Sequence, residues 1–167
     1  MAGLGRVKEV VRQDISNWQH NATIDLHTEM MKLAINVITK TNFGSHFSNK
    51  QNAEILHDEY HKIIQDFDDA SIGIWTFGEG SFREEKFKEN LLNFKEEMRR
   101  IVIRHKKLKE DGDFDIAPFL DTALDNIEDE DEVIHQAITF MIGGFHTSGN
   151  YMTWFFYNLA LRPDIQV

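Results

Sequence analysis

Apolar residues recur at three- and four-residue intervals along almost the whole chain, and only two of its 167 residues are proline. That pattern predicts an all-α fold without strands. Leu4, Val7, Val11, Ile15 and Trp18 share one face of a first helix. Leu26, Met30, Leu33 and Val37 line a second, which should stop near Gly44. Ser48 and Gln51 have the spacing of a capping box and open a third helix carrying Leu56, Ile63 and Phe67. The Gly-broken stretch "SIGIWTFGEGS" ends it. Ser81 and Glu84 repeat the box spacing and open a long fourth helix with Phe87, Leu91, Phe94, Met98 and Ile101. Beyond "KEDGDFDIAP", a short helix around Phe119 to Leu124 leads into the acidic "NIEDEDE", and acids suit the positive end of a helix that begins there. No repeat or linker divides the chain, whose length suits a single core.

The last helix, from about Asp131 to Leu161, breaks the general pattern. In a chain with 28% charged residues, it carries no Asp, Glu, Lys or Arg from Val133 onwards. It would be about 45 Å long, whereas a compact globule of this chain length is only about 40 Å across. A helix apolar on all sides has to be surrounded, by lipid or by protein. Lipid would face Gln136, His135, His146, Asn150 and Asn158, which favours the central helix of a larger globular body. Its polar residues, His135, Thr139, Gly143, His146, Thr147 and Asn150, fall at helical spacing into one stripe. Two readings stay open. The stripe faces a cavity, with Gly143 and Gly144 leaving room for a flat group against the backbone, or it is a close helix crossing with satisfied core side chains.

Charge and composition then exclude several classes. A net charge of −10 repels a phosphate backbone, so nucleic acid is not an expected partner. The absence of cysteine removes disulfides, thiolate nucleophiles and thiolate metal ligands from these residues. The opening "MAGLGRVKEVVRQD" meets charges too early for a signal peptide, which makes the sequon Asn21-Ala22-Thr23 a chance match. His57 and His61 in "HDEYH" stand one turn apart like metal ligands, but Asp58 replaces the Glu that zinc-peptidase chemistry needs, and a solvated helix face is expected. The basic run from Arg99 to Lys109 is read as a solvated helix C-terminus.

The segment "FMIGGFHTSGNYMTWFFYNLALRPDIQ" resembles the central I helix of the cytochrome P-450 family of haem-thiolate monooxygenases. That family's run of Ala or Gly, Gly, any residue, Asp or Glu, Thr, and Thr or Ser falls on Gly143, Gly144, Phe145, His146, Thr147 and Ser148. A Leu-rich stretch, Pro163 and Asp164 follow. Upstream, "DISNWQHNATIDLHTEMMKLAINVITKTNFGSHF" is similar to the helices that precede it in the family, and the likeness runs from about the D helix into the start of J. It resembles divergent, orphan members of the microsomal kind.

The resemblance implies a fold, a cofactor and site residues. Haem would lie against Gly143 and Gly144, Thr147 would bond back to a carbonyl one turn earlier and hold a proton-delivering water, and Thr139 and Ile142 would line the substrate space. His146 stands where the family has an acid, which exchanges a carboxylate for an imidazole in the proton supply. The substrate would be a small hydrophobic molecule, of lipid, sterol or xenobiotic type. Electrons would come from an NADPH-dependent reductase at the cytosolic face of the endoplasmic reticulum, and residues 72–82 would touch the membrane. Residues 1–167 would form a partial domain, without the N-terminal anchor region or the haem-binding cysteine region, inactive by itself. The alternative is a non-catalytic all-α interaction module whose stripe is a packing seam.

Overall fold

The computed structural model describes residues 2–16, 18, 23–73, 80–113 and 115–166. It is all-α: α1 (Ala2–Ile15), α2 (Leu26–Asn42), α3 (Lys50–Ser71), α4 (Phe82–Glu110), α5 (Pro118–Asn126) and α6 (Glu130–Ala160), with 3₁₀ turns at Ser45–Ser48 and Pro163–Ile165 and no strand among the described residues.

Local chemistry fixes the starts of four helices. Asp25 accepts from Thr28 N at 3.1 Å, Asn49 from Gln51 N at 3.0 Å, Ser81 from Glu84 N at 3.2 Å and Asp129 from Asp131 N at 3.0 Å. Each bond satisfies one of the N–H groups that a helix start leaves open. The Thr28 N–H also holds the Asp25 carboxyl below its ordinary pKa. Two expected caps change. Ser48 closes the 3₁₀ turn and Asn49 caps α3 instead. Ser81 caps α4 as expected, but Glu84 does not complete a reciprocal box: its Oε1 turns forward to Lys88 Nζ at 2.6 Å. Trp18 lies beyond the end of α1 and donates from Nε1 to Glu29 of α2 at 3.2 Å.

The reason for the 3₁₀ turn is Gly44, whose φ of 83° suits a residue without a side chain. The Asp115 carboxylate sits against it, accepting from Ser45 N at 2.8 and 2.9 Å and from Ser45 Oγ at 3.0 Å. Asp115 also faces His105 Nδ1 at 3.7 Å, and His105 Nε2 lies 2.8 Å from Asp121 Oδ1. His105 is buried, so this chain of polar groups joins the end of α2, α4 and α5.

α2 is the helix this chain encloses. Met30, Met31, Leu33, Ala34, Ile35, Asn36, Ile38, Thr39 and Thr41 are all buried, which leaves almost no free face. α6 runs along it and buries Val133, Ala137, Met141, Phe145 and Gly149 at four-residue spacing, with Ile134 beside them. α3 contributes Leu56, Tyr60 and Ile63, and α4 contributes Phe94, Met98, Ile101 and Val102. Phe43, Phe119 and Phe140 stack at 5.5 and 4.3 Å, locking α5 between the end of α2 and the middle of α6.

Three apolar expectations shift by register. Val10 is the buried residue of α1 while Leu4 and Ile15 are exposed, and Phe67 on α3 and Leu91 on α4 are exposed too. The basic run ends α4 as expected and is paired: Arg99 holds Asp131 at 2.6 Å and Lys109 holds Asp125 at 2.7 Å. No helix among the described residues is long and apolar enough to cross a membrane.

Candidate functional site

The uncharged helix α6 has two faces with different work. The face towards α2 is closed by two glycines. A Cβ at Gly144 would overlap Ile38 Cδ1, and one at Gly149 would overlap Met31 Sδ and stand 3.2 Å from Met31 Cα. Gly149 lets the two helix backbones approach, and Gly144 makes room for the Ile38 side chain. Gly144, expected to lie against a flat cofactor, is therefore committed to α2. Gly149 plays the same part and was not singled out from the sequence, although it continues the four-residue series that begins at Val133.

The opposite face is open. Nothing lies within 4 Å of where a Cβ on Gly143 would stand. Thr139, Gly143 and Thr147, at four-residue steps, are all exposed, so the structure brings these three together on one uncharged strip. Thr147 Oγ1 donates to Gly143 O at 2.5 Å. The same back-bond occurs from Thr139 to His135 O at 2.9 Å and from Thr153 to Gly149 O at 2.8 Å, so the bond itself is ordinary for a helical threonine. What distinguishes Thr147 is the bare backbone one turn before it. Ile142 lies off the strip, half-buried against the core.

His146 turns to the other side. Its ring is 6.0 Å from that of Tyr60, and its Nε2 lies 3.4 Å from Asn150 Nδ2. Asn150 Oδ1 is in turn 3.2 Å from His27 Nε2 at the start of α2. His146 thus faces a cleft of about 550 Å³ between α2, α3 and α6, also lined by His57 and His61. His61 is exposed and His57 half-buried, as a solvated helix face implies, and that face is one wall of the cleft. Tyr60 OH is buried without a hydrogen-bond partner, and burial pushes the phenol up to about 12.

Past Gly149 no residue of α6 is buried. Its last turns present Tyr151, Trp154, Phe155, Phe156, Tyr157 and Leu161, with Tyr151 72% and Trp154 65% exposed. No three His, Asp or Glu side chains among the described residues stand in a metal-holding arrangement, and the sequence contains no cysteine. The residues present fit haem as one wall, through the bare uncharged strip, and supply no thiolate for its iron.

The body is all-α and built on a long helix, uncharged from Val133 onwards, with Gly143 and Thr147 one turn apart on its open face. The family model for cytochrome P-450 matches residues 5–167, and the chain belongs to that family. No curated protein and no solved structure matches it. The family is one of haem-dependent monooxygenases, which fixes the kind of chemistry to which these residues belong.

Proposed function

We propose that this chain forms the distal wall of the haem pocket in a cytochrome P-450 that inserts one oxygen atom from dioxygen into a small hydrophobic substrate of lipid, sterol or xenobiotic type. The observation that carries this reading is the open strip of Thr139, Gly143 and Thr147 on α6. Haem, held by a thiolate that residues 1–167 do not supply, provides the oxygen-activating chemistry. Residues 1–167 are then a partial domain, inactive alone.

Gly143 keeps the strip flat enough for the ring edge. Thr147 holds a water at its hydroxyl: Oγ1 spends its proton on Gly143 O and has its lone pairs free to accept from that water, which fixes where a proton waits. Thr139, one turn before Gly143, and Ile142 would contribute to the substrate space. Gly144 serves the site from behind, by fixing α6 against α2. His146 acts on it only through the helix backbone, since its ring occupies the α2–α3 cleft.

In the parent enzyme, electrons come from an NADPH-dependent reductase at the cytosolic face of the endoplasmic reticulum. Ile72 and Phe82, 71% and 81% exposed, flank residues 74–79, which lie outside the described residues and include Trp75. Apolar side chains so exposed support a membrane contact there. Ile72→Asp with Phe82→Asp should reduce sedimentation of an anchor-free parent with liposomes, and unchanged sedimentation would count against it.

The test of the haem wall is Gly143→Leu in a thiolate-bearing parent. Nothing lies within 4 Å of where the new Cβ would stand, so helix content should hold while haem content, read from the Soret band of the carbon monoxide complex, falls. Full haem content with undiminished oxidation would remove Gly143 from the site. The reading as a non-catalytic module requires the strip to be a packing seam, and its exposure favours the pocket instead.

A further inference from the structure

Three features remain outside the distal wall: the aromatic end of α6, the buried His105 between two carboxylates, and the cleft between α2, α3 and α6. The cleft carries the most. His57 and His61 stand one turn apart on α3 with their ring planes within 5° of parallel and their centres 6.1 Å apart. His57 Nδ1 faces Asp58 Oδ1 at 3.4 Å. That contact, when the Nδ1 proton points at the carboxylate, leaves Nε2 as the nitrogen with a free lone pair. Tyr60, between the two histidines in sequence, also lines the cleft.

We propose that this cleft binds one divalent transition-metal ion of the imidazole-preferring kind, such as zinc, nickel or copper, chelated by His57 and His61. Imidazoles four residues apart on a helix share a face, so one ion can bridge them. A tetrahedral ion bound at about 2.0–2.1 Å to one nitrogen of each ring holds the ring centres roughly 5 Å apart. The observed separation comes within about an ångström of that, so closure needs a turn of each ring about its side-chain bonds and no movement of the helix. Water fills the remaining positions. His146, whose ring is 6.0 Å from that of Tyr60, is the further imidazole on the opposite wall.

The electrostatics favour a cation. Asp58 and Asp68 line the cleft with Asp69, which is paired with Arg83, against one lysine, Lys32, whose ammonium lies 3.4 Å from Glu29. The whole chain carries a charge of −10. Such an ion would lie on the side of α6 away from the Gly143 strip. It has no part in oxygen chemistry.

The experiment is calorimetric titration of the untagged chain with nickel and with zinc chloride in chelator-stripped buffer. One ion per chain is expected, with affinity lowered at least about tenfold by His57→Gln with His61→Gln and unchanged by His135→Gln, which alters a histidine outside the cleft. Circular dichroism checks that the double variant keeps its helices. If it does not, the wild-type chain still decides: nickel should broaden the histidine ring-proton resonances of His57 and His61 first. No stoichiometric binding, binding that survives the double substitution, or broadening confined to other histidines would overturn the proposal.

Discussion

Gly144 lies directly against Ile38, while Gly143 beside it has no atom within 4 Å of where its Cβ would be. Neighbouring glycines therefore have opposite reasons to lack a side chain. Gly143→Ala should stabilise the isolated chain by up to about 1 kcal/mol, the helix-propensity gain of alanine. Gly144→Ala should lose most of that gain because Ile38 must swing aside. Gly149→Ala should be the most damaging, since the Met31 backbone stands 3.2 Å away and cannot turn out of the way. Urea unfolding of the three variants checks the order, and three shifts in one direction would contradict the division of faces.

Tyr60 gives the fold an alkaline limit. Burial raises its phenol to about 12 from an ordinary value near 10, so the neutral form is the one the folded chain holds. Its contribution is complete below about pH 10 and disappears as pH rises through about 12. Tyr60→Phe should remove that loss between pH 10 and 12, and should cost little at neutral pH because the hydroxyl has no partner. Thermal melts of both proteins in chelator-treated buffer from pH 8 to 12 would show it, and parallel curves would mean that another group sets the alkaline limit.

Asp115 holds the Gly44 turn through three hydrogen bonds, two of them to one backbone N–H. Asp115→Ala strands that N–H and removes the carboxylate facing His105, so a loss of about 1–3 kcal/mol is expected. Ser45→Ala, which keeps the backbone bonds, should cost less. Chemical denaturation that ranks Ser45→Ala as the worse change would refute this account of the turn.

In a thiolate-bearing parent, Thr147→Ala should leave the carbon monoxide spectrum in place while reducing equivalents are diverted to hydrogen peroxide. A positioned proton donor typically contributes about 10²–10⁴ in rate. His146→Ala should disturb coupling far less, because its ring faces Tyr60 and Asn150. Peroxide yield per NADPH consumed separates the two, and equal uncoupling would return His146 to the proton path.

The helices were legible because each carries a periodic apolar stripe and most carry a capping side chain: Ser81 and the acids before α6 stand as the sequence places them. Ser48 misled because the competing turn is set by Asp115, 70 residues away, which no local spacing reveals. The strip of Thr139, Gly143 and Thr147 was also legible. The reason for Gly144 was not, since a glycine that admits a cofactor and a glycine that admits a helix look alike until Ile38 is placed. His146 followed the stripe in sequence, yet a step of one residue turns a helical side chain by about 100°, enough to carry it from the strip to the cleft.

The burial pattern of α6 also bears on how the chain is made. Every fully buried residue of α6 lies at or before Gly149, and in the aromatic turns from Tyr151 to Leu161 Met152 alone packs against the core, half-buried. During synthesis, α1 to α5 and the core-forming part of α6 leave the ribosome before those turns, so the nascent chain holds all the parts of its core when the aromatic segment emerges. The aromatic turns thus follow the buried core residues out of the ribosome, and their association need not compete with formation of that core. A chain stopped after Tyr151 should accordingly refold with the helix content expected for its length, and unfolded truncated protein would show that the final turns are needed after all.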